Sequence, residues 1–216
     1  MALFASREDA GTILAQQIRA QFRIDSVVGI ARGGVVVAYQ IATQLHLPLC
    51  VLPVQKIGYP KNKELGIGAV APSNVVWLDK DLIQRLHLSE NTVQSATQDA
   101  LLKFNEKAAP LVQYLPMQLH NRVVMIVDDG IATGATFRVA LMWVKKQRPK
   151  CIYAAFPVAT QSAALEIKQL VDEIIVLATP TNFDAVGRFY DDFRQVTIED
   201  ITRLILFTRK TVKSAL

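Results

Sequence analysis

Apolar residues in this chain fall either at helical spacing or in short solid runs. Ala10, Ile13, Leu14, Ile18 and Phe22 recur at intervals of one to four and predict a first helix. Ser6 with Asp9 ahead of them reads as a capping-box helix start, with Asp in place of the usual Glu or Gln. Ser26 to Ile30 is a β-branched run that predicts a buried strand and stops at Arg32-Gly33-Gly34. A second helix follows, with Ala38, Ile41, Ala42 and Leu45 on one face, and then a strand over Leu49 to Val54. Residues 56–73 fit neither period: they carry Gly58, Gly66, Gly68, Pro60, Pro72, Lys56, Lys61 and Lys63. This predicts a long mobile loop, and a loop of that length in a compact domain is either functional or disordered.

Val75 to Leu78 closes the loop as a strand, and Ser89 opens a long helix with Val93, Ala96, Ala100, Leu101 and Phe104 inward. Pro110 and Pro116 mark its exit. Arg122 to Val127 is the clearest strand and ends on Asp128-Asp129; Gly130 to Thr136 turns, and Phe137 to Lys146 is helical. A strand (Cys151 to Val158), a helix (Ser162 to Val171) and a strand (Ile174 to Leu177) follow. Pro180 to Gln195 is irregular and aromatic-rich, and Thr197 with Asp200 caps a last helix through Ile201 and Ile205. Solidly apolar strands alternating with helices predict an α/β fold: a doubly wound, mostly parallel sheet with helices on both faces. Ligands in such sheets sit at the carboxyl ends of the strands. The expected organisation is a core over residues 1–179 and a small C-terminal segment over 180–216.

Composition narrows the class. Half the chain is apolar (51%) and a fifth charged (20%), enough to bury a core. No apolar stretch approaches the roughly 20 residues that span a bilayer, and the N-terminus turns acidic too early for a signal peptide. The expected location is therefore cytoplasmic, with no membrane partner. Cys50 and Cys151 lie in buried-strand runs and read as reduced core thiols; His46, His87 and His120 are scattered. The net charge of +5 suits an anionic ligand. Without a dense basic run or interleaved aromatic stripe, it argues against nucleic acid.

The segment Val124-Met125-Ile126-Val127-Asp128-Asp129-Gly130-Ile131-Ala132-Thr133-Gly134-Ala135-Thr136 carries the chemistry. It is a strand, two carboxylates, and a small-residue turn that opens a helix. Gly134 lets backbone approach an anion closely, and Thr133 and Thr136 add hydroxyl donors. Free N–H groups and the positive end of the helix dipole favour a phosphate. Asp128 and Asp129 stand where they can accept hydrogen bonds from a diol such as ribose. After the first strand, Arg32 can fork onto phosphate oxygens, while Gly33 and Gly34 expose backbone N–H groups.

Four apolar residues followed by Asp-Asp-Gly-Ile-Ala-Thr-Gly-Ala-Thr resemble the motif of type I phosphoribosyltransferases that binds 5-phosphoribosyl-1-pyrophosphate (PRPP). The resemblance implies that Asp128 and Asp129 hold the ribose 2- and 3-hydroxyls, and that Ala132, Thr133, Gly134, Ala135 and Thr136 hold the 5-phosphate. Ala31-Arg32-Gly33-Gly34 is similar to the family's pyrophosphate loop. Residues 56–73 match its mobile catalytic loop, which gives Arg32 and Lys56 catalytic roles in neutralising the leaving pyrophosphate. Phe183 to Arg194 resembles the base-binding hood of hypoxanthine-guanine phosphoribosyltransferase; carried over, Phe183 stacks on the base and Asp191 lies near base and metal. Two departures stand out. The 6-oxopurine enzymes carry an acid where this chain has Ala132; adenine phosphoribosyltransferase has alanine there too. Nor does Ala154 to Thr160 hold the lysine that reads the purine oxygen.

The resemblance thus implies an enzyme that moves the 5-phosphoribosyl group from PRPP to a nitrogen acceptor, a nucleobase in the first instance, with Mg²⁺ and release of pyrophosphate. A non-catalytic PRPP sensor or regulator keeps the same acid motif and is the alternative. A hydrolase on the same scaffold is weaker, since no Ser-His-Asp arrangement or metal cluster supports it. Family members often form dimers, which makes a homodimer an expectation of the resemblance; the sequence itself leaves the oligomeric state and the acceptor open.

Overall fold

The structure is a computed structural model that describes residues 2–115 and 118–213, side chains excepted at positions 63, 64, 107, 109 and 209–213. Pro116 and the side chain of Lys63 therefore lie outside the described residues. In chain order the elements are α1 (Arg7–Gln21), β1 (Ser26–Ala31), α2 (Gly33–Leu45), β2 (Leu49–Pro53), β3 (Gln55–Tyr59), β4 (Asn62–Ala71), β5 (Val75–Leu78), α3 (Lys80–Arg85), α4 (Glu90–Lys107), a 3-10 turn (Ala109–Tyr114), β6 (Val123–Val127), α5 (Ala135–Lys146), β7 (Cys151–Val158), α6 (Gln161–Lys168), β8 (Glu173–Ala178), a 3-10 turn (Val186–Phe189) and α7 (Ile198–Lys213).

Five strands form one parallel sheet in the order β2-β1-β6-β7-β8. The chain starts beside the middle, moves one strand outward to β2, then crosses back over β1 to β6. The connections leaving the neighbours β1 and β6 therefore run towards opposite edges of the sheet, and a crevice opens above their carboxyl ends. Apolar side chains explain the two layers. Leu14, Ile18, Val37 and Ile41 from α1 and α2 pack with Val27, Met125 and Val127 on one face. Phe137, Ala140 and Val144 of α5 and Ile167 of α6 pack with Val28, Val124, Ile126 and Phe156 on the other. The doubly wound α/β architecture is as the sequence predicts. Among the described residues no helix is long and apolar enough to cross a membrane.

One expectation is corrected. The predicted loop over 56–73 is a β-hairpin: β3, β4 and β5 form a separate antiparallel sheet. It has its own core, where Ile57, Ile67 and Val70 meet Ala100 and Phe104 of α4. The glycines that erased the strand pattern are close-approach sites. A β-carbon on Gly68 would stand 2.4 Å from the Trp77 carbonyl oxygen, and one on Gly66 would meet Lys56 at 3.0 Å and Ala135 at 3.8 Å. The β4–β5 turn at Ser73 and Asn74 is left-handed (φ 59° and 54°), without the glycine that usually signals such a turn. The short helix α3, capped by Asp79 through the Leu82 N–H at 2.9 Å, is also absent from the sequence reading. Smaller boundary shifts occur elsewhere: α5 begins two residues early, at Ala135, and α6 ends at Lys168.

The N-terminal segment meets the segment after β8. Phe4 bridges to Tyr190, and the Asp191 N–H donates to the Phe4 carbonyl at 3.0 Å. Thr197 caps α7 through the Asp200 N–H at 3.1 Å, and Ile201 and Ile205 pack on Val35 and Val51.

Candidate active site

The carboxyl ends of β1 and β6 converge. Asp128 follows the last residue of β6, and the Arg32-Gly33-Gly34 turn follows β1, its register neighbour. The Ala31–Arg32 peptide bond is cis. Gly34 lies against Asp128: a β-carbon there would stand 2.7 Å from its Cα and 2.8 Å from its Oδ1. Gly33 lies closer still to Asp129, whose Oδ2 would stand 1.9 Å from a β-carbon there. The two turns therefore form one continuous surface, and only glycine permits it. Arg32 at its outer edge is exposed.

The acid pair is less open than expected for a solvated diol-binding site. Asp128 is only 8% exposed, and Asp129 is half-buried. The Asp129 N–H donates to Asp128 Oδ1 at 2.9 Å. Burial raises the Asp128 carboxyl well above the usual carboxylate range, and the neighbouring Asp129 charge adds to it. Burial raises Asp129 as well, but the Arg7 guanidinium pulls it back. Arg7 donates from Nε to Asp129 Oδ2 at 2.7 Å.

Beyond the acids, Ile131 donates its N–H to the Val158 carbonyl at 2.9 Å, and the Thr160 N–H returns to the Ile131 carbonyl at 3.0 Å. The Thr160 hydroxyl donates to the Ala132 carbonyl at 2.9 Å. These bonds pin the turn to the end of β7. Gly134, at φ 79°, starts α5, and no side chain caps the helix. First-turn N–H groups have no intrahelical partner, so those of Ala135, Thr136 and Phe137 face the turn as an anion cradle. Thr133 is exposed and Thr136 half-buried beside it. Arg138 flanks the cradle, with Nε 3.8 Å from where a Gly134 β-carbon would lie; it pairs with Glu166 and stands 5.4 Å from the Trp77 ring centroid. A cavity of about 850 Å³ opens beside Ala132, Thr133 and Arg138.

Lys56 lies on β3, three residues past Pro53, whose register partner is Ala31. Its methylenes cover Gly66, which faces Ala135. Lys56 also lines a second cavity with Asn91, Thr92 and Asp99 of α4. In the C-terminal segment, Val186 packs on Gly130, where a β-carbon would meet it at 2.5 Å. Phe183 is half-buried against Phe189, with ring centroids 5.0 Å apart. The residue of this segment that reaches the acid pair is Tyr190, whose hydroxyl donates to the Asp129 carbonyl at 2.5 Å. Asp191, next to it, is exposed.

A sequence model of the phosphoribosyl transferase domain matches residues 3–194, nearly the whole described chain. The chain belongs to the phosphoribosyltransferase family. Among relatives of this phosphoribosyltransferase-family chain, the Mycobacterium tuberculosis protein Rv0571c, itself assigned to the phosphoribosyl transferases, is 34% identical over 208 residues. That match covers 95% of this chain and 47% of the relative, so the chain spans about half that relative's length. The solved structure of TT1426 from Thermus thermophilus is 32% identical and superposes with a TM-score of 0.76, covering 96% of this chain and 99% of that one. AQ2163 from Aquifex aeolicus shares the fold at a TM-score of 0.51 and 14% identity, over 84% of this chain and 78% of that one.

Arg7 and Tyr190 are the site residues that sequence reasoning missed. Arg7 looks like an ordinary first-turn residue of α1, and its partner lies 122 residues away. In the sequence, Tyr190 is one aromatic among several.

Proposed function

We propose that the chain transfers the 5-phosphoribosyl group of PRPP to a nitrogen acceptor of the nucleobase class and releases pyrophosphate. One observation carries this reading: the glycine turn of residues 32–34, the acid pair, and the uncapped start of α5 follow one another along one crevice. That order matches the order of groups in PRPP, which are pyrophosphate, ribose diol and 5-phosphate. In this reading the N–H groups of Gly33 and Gly34 bind pyrophosphate with Arg32. Asp128 and Asp129 accept from the two ribose hydroxyls, and residues 132–136 hold the 5-phosphate.

The bond from C1 to the pyrophosphate oxygen breaks with its electron pair leaving on oxygen. The acceptor nitrogen supplies the pair for the new C1–N bond and sheds its proton. The transition state resembles a ribosyl oxocarbenium ion, so positioning and stabilisation of leaving-group charge dominate. In this reading Arg32 and Lys56 are the cations that perform that task. Phe183 would stack on the acceptor from the C-terminal segment, residues 180–216, with Asp191 as its directional contact.

Among the described residues no group of three His, Cys, Asp or Glu side chains forms a metal cage. The donor set still fits Mg²⁺, which is commonly held by one or two carboxylates together with substrate phosphates. Asp191, exposed and next in the chain to Tyr190, is the carboxylate that could contribute. Bound there, Mg²⁺ would neutralise pyrophosphate charge.

The test is incubation with PRPP and Mg²⁺ against a panel of purines and pyrimidines, following pyrophosphate release and nucleotide formation. Nucleotide formed with any base supports the transferase. PRPP binding without product from any base points instead to a sensor, and no PRPP binding at all defeats both.

A further inference from the structure

Arg7 and Asp128 are the only charged residues that are buried among the described residues; Arg7 is 7% exposed. A buried guanidinium is costly unless its donors are engaged. Arg7 engages three residues in two parts of the chain. Nε donates to Asp129 Oδ2 at 2.7 Å, and Nη1 donates to the Arg194 carbonyl at 3.0 Å. Its Cζ stands 3.7 Å from the Phe193 ring centroid. A β-carbon on Gly33 would lie 2.8 Å from Nε, so the guanidinium also borders the glycine turn.

The helix itself gives no reason for this arginine. Arg7 is the first residue of α1, where the dipole disfavours a cation and where Glu8 and Asp9 supply the favoured charge. Its reason lies in the site. Asp129 is held at both ends by residues outside its own turn: the carboxylate by Arg7, the carbonyl by the Tyr190 hydroxyl. The arginine takes one carboxylate oxygen and leaves Oδ1 outside the ion pair.

We propose that Arg7 is a positioning residue for the sugar: it fixes the plane of the Asp129 carboxylate so that Oδ1 is aimed at a ribose hydroxyl, and it ties that aim to the C-terminal segment through Phe193 and Arg194. This rests on the ribose reading of the acid pair and deepens it. Arg7 and Asp129 border Gly33 only by packing, and in this reading pyrophosphate at residues 32–34 takes no hydrogen bond from either, so loss of Arg7 should weaken PRPP far more than pyrophosphate. A merely structural arginine would weaken both alike.

Titration calorimetry with PRPP and, separately, inorganic pyrophosphate, each with Mg²⁺, reads the difference. Arg7→Gln is expected to weaken PRPP about tenfold, equivalent to roughly 1.4 kcal/mol, and to leave pyrophosphate within about twofold. Arg7→Lys, which keeps the charge and loses the planar fork, should recover part of the PRPP affinity. Should Arg7→Gln not fold, Phe193→Leu removes the stacking on Arg7 together with the Tyr190 ring contact at 5.2 Å, and about a threefold loss for PRPP only is expected. Wild-type PRPP affinity in Arg7→Gln, or in Phe193→Leu where that variant stands in, overturns the proposal, and so does an equal loss of both ligands. Wild-type protein that binds pyrophosphate but not PRPP defeats the ribose reading itself, and this inference with it.

Discussion

Gly33 and Asp129 stand so close that a β-carbon on the glycine would lie 1.9 Å from Asp129 Oδ2. The carboxylate cannot turn aside freely, because the same oxygen is paired with Arg7. Gly34 meets backbone instead: its β-carbon would lie 2.7 Å from the Asp128 Cα and 2.8 Å from the Val127 carbonyl oxygen. Side-chain ends can move and backbone in a parallel sheet cannot, so the two glycines should differ. Gly34→Ala is expected to cost about 2 kcal/mol or more as overpacking. Gly33→Ala is expected to cost less and to displace Asp129, abolishing PRPP binding. Chemical denaturation together with PRPP titration checks both, and an unmoved midpoint in Gly34→Ala would contradict the geometry.

The elements that pack by simple periodicity are readable from the sequence. The five parallel strands and α1, α2, α4, α5 and α7 follow from solid or helical apolar spacing and from side-chain caps such as Ser6, Ser89 and Thr197. The β3–β4 hairpin is not, because Gly66 and Gly68 serve packing against Lys56, Ala135 and Trp77 that no local pattern records. The site divides in the same way. Its main-chain parts, the two glycine turns and the acid pair, are contiguous motifs. Arg7 and Tyr190 reach Asp129 from opposite ends of the chain, and such pairings exist only after folding. Burial of the acid pair is equally hidden: a carboxylate after a strand reads as solvated until Gly34 and the N-terminal segment are seen to cover it.

That burial makes a stability prediction. The folded-state carboxyl of Asp128 titrates above its unfolded value of about 3.9. The native state then binds more protons between those two values, so the contribution of Asp128 is fully present below the unfolded value and is lost as pH rises through the folded one. Above the folded value the unliganded protein carries an ionised, buried Asp128. Asp128→Asn keeps an oxygen for the Asp129 N–H and removes that charge. Its melting temperature should rise at pH 7, by about 2–4 °C for each kcal/mol recovered, and the gain should shrink towards pH 4. PRPP affinity should fall about tenfold or more, roughly 1.4 kcal/mol, since the amide offers the diol a weaker acceptor. A variant no more stable than wild type across pH 4–8 would refute the buried-charge account.

Arg32 and Lys56 should act on turnover more than on binding. In the proposed reaction both cations meet charge that develops on the departing pyrophosphate, and groups that act mainly in the transition state change kcat more than substrate affinity. Arg32→Ala and Lys56→Ala are each expected to lower kcat about a hundredfold, with PRPP dissociation constants changed about tenfold or less. Arg32 is exposed, so its removal should leave the fold within about 0.5 kcal/mol. Steady-state kinetics alongside calorimetry separates the two quantities, and equal losses in both would reassign these cations to ground-state binding.

Ala132 gives the sharpest test of the acceptor. The residue is exposed, its carbonyl is held by the Thr160 hydroxyl, and it borders the cavity of about 850 Å³ beside the start of α5. An acid at this position in 6-oxopurine enzymes helps move a proton on the base, and a site lacking the partner for a substrate group discriminates poorly in its favour. Hypoxanthine and guanine should therefore be weak substrates, with kcat/KM below roughly 10⁴ M⁻¹s⁻¹. Because the side chain is exposed, Ala132→Asp should alter stability by no more than about 0.5 kcal/mol. It should raise hypoxanthine turnover about tenfold, a fraction of the usual general acid–base contribution. Efficient hypoxanthine turnover by wild type would show that the alanine does not set base choice. Asp191→Asn, measured with the best acceptor of the panel, completes the argument: unchanged kinetics there would remove the C-terminal segment from base recognition and leave Phe183 as packing against Phe189.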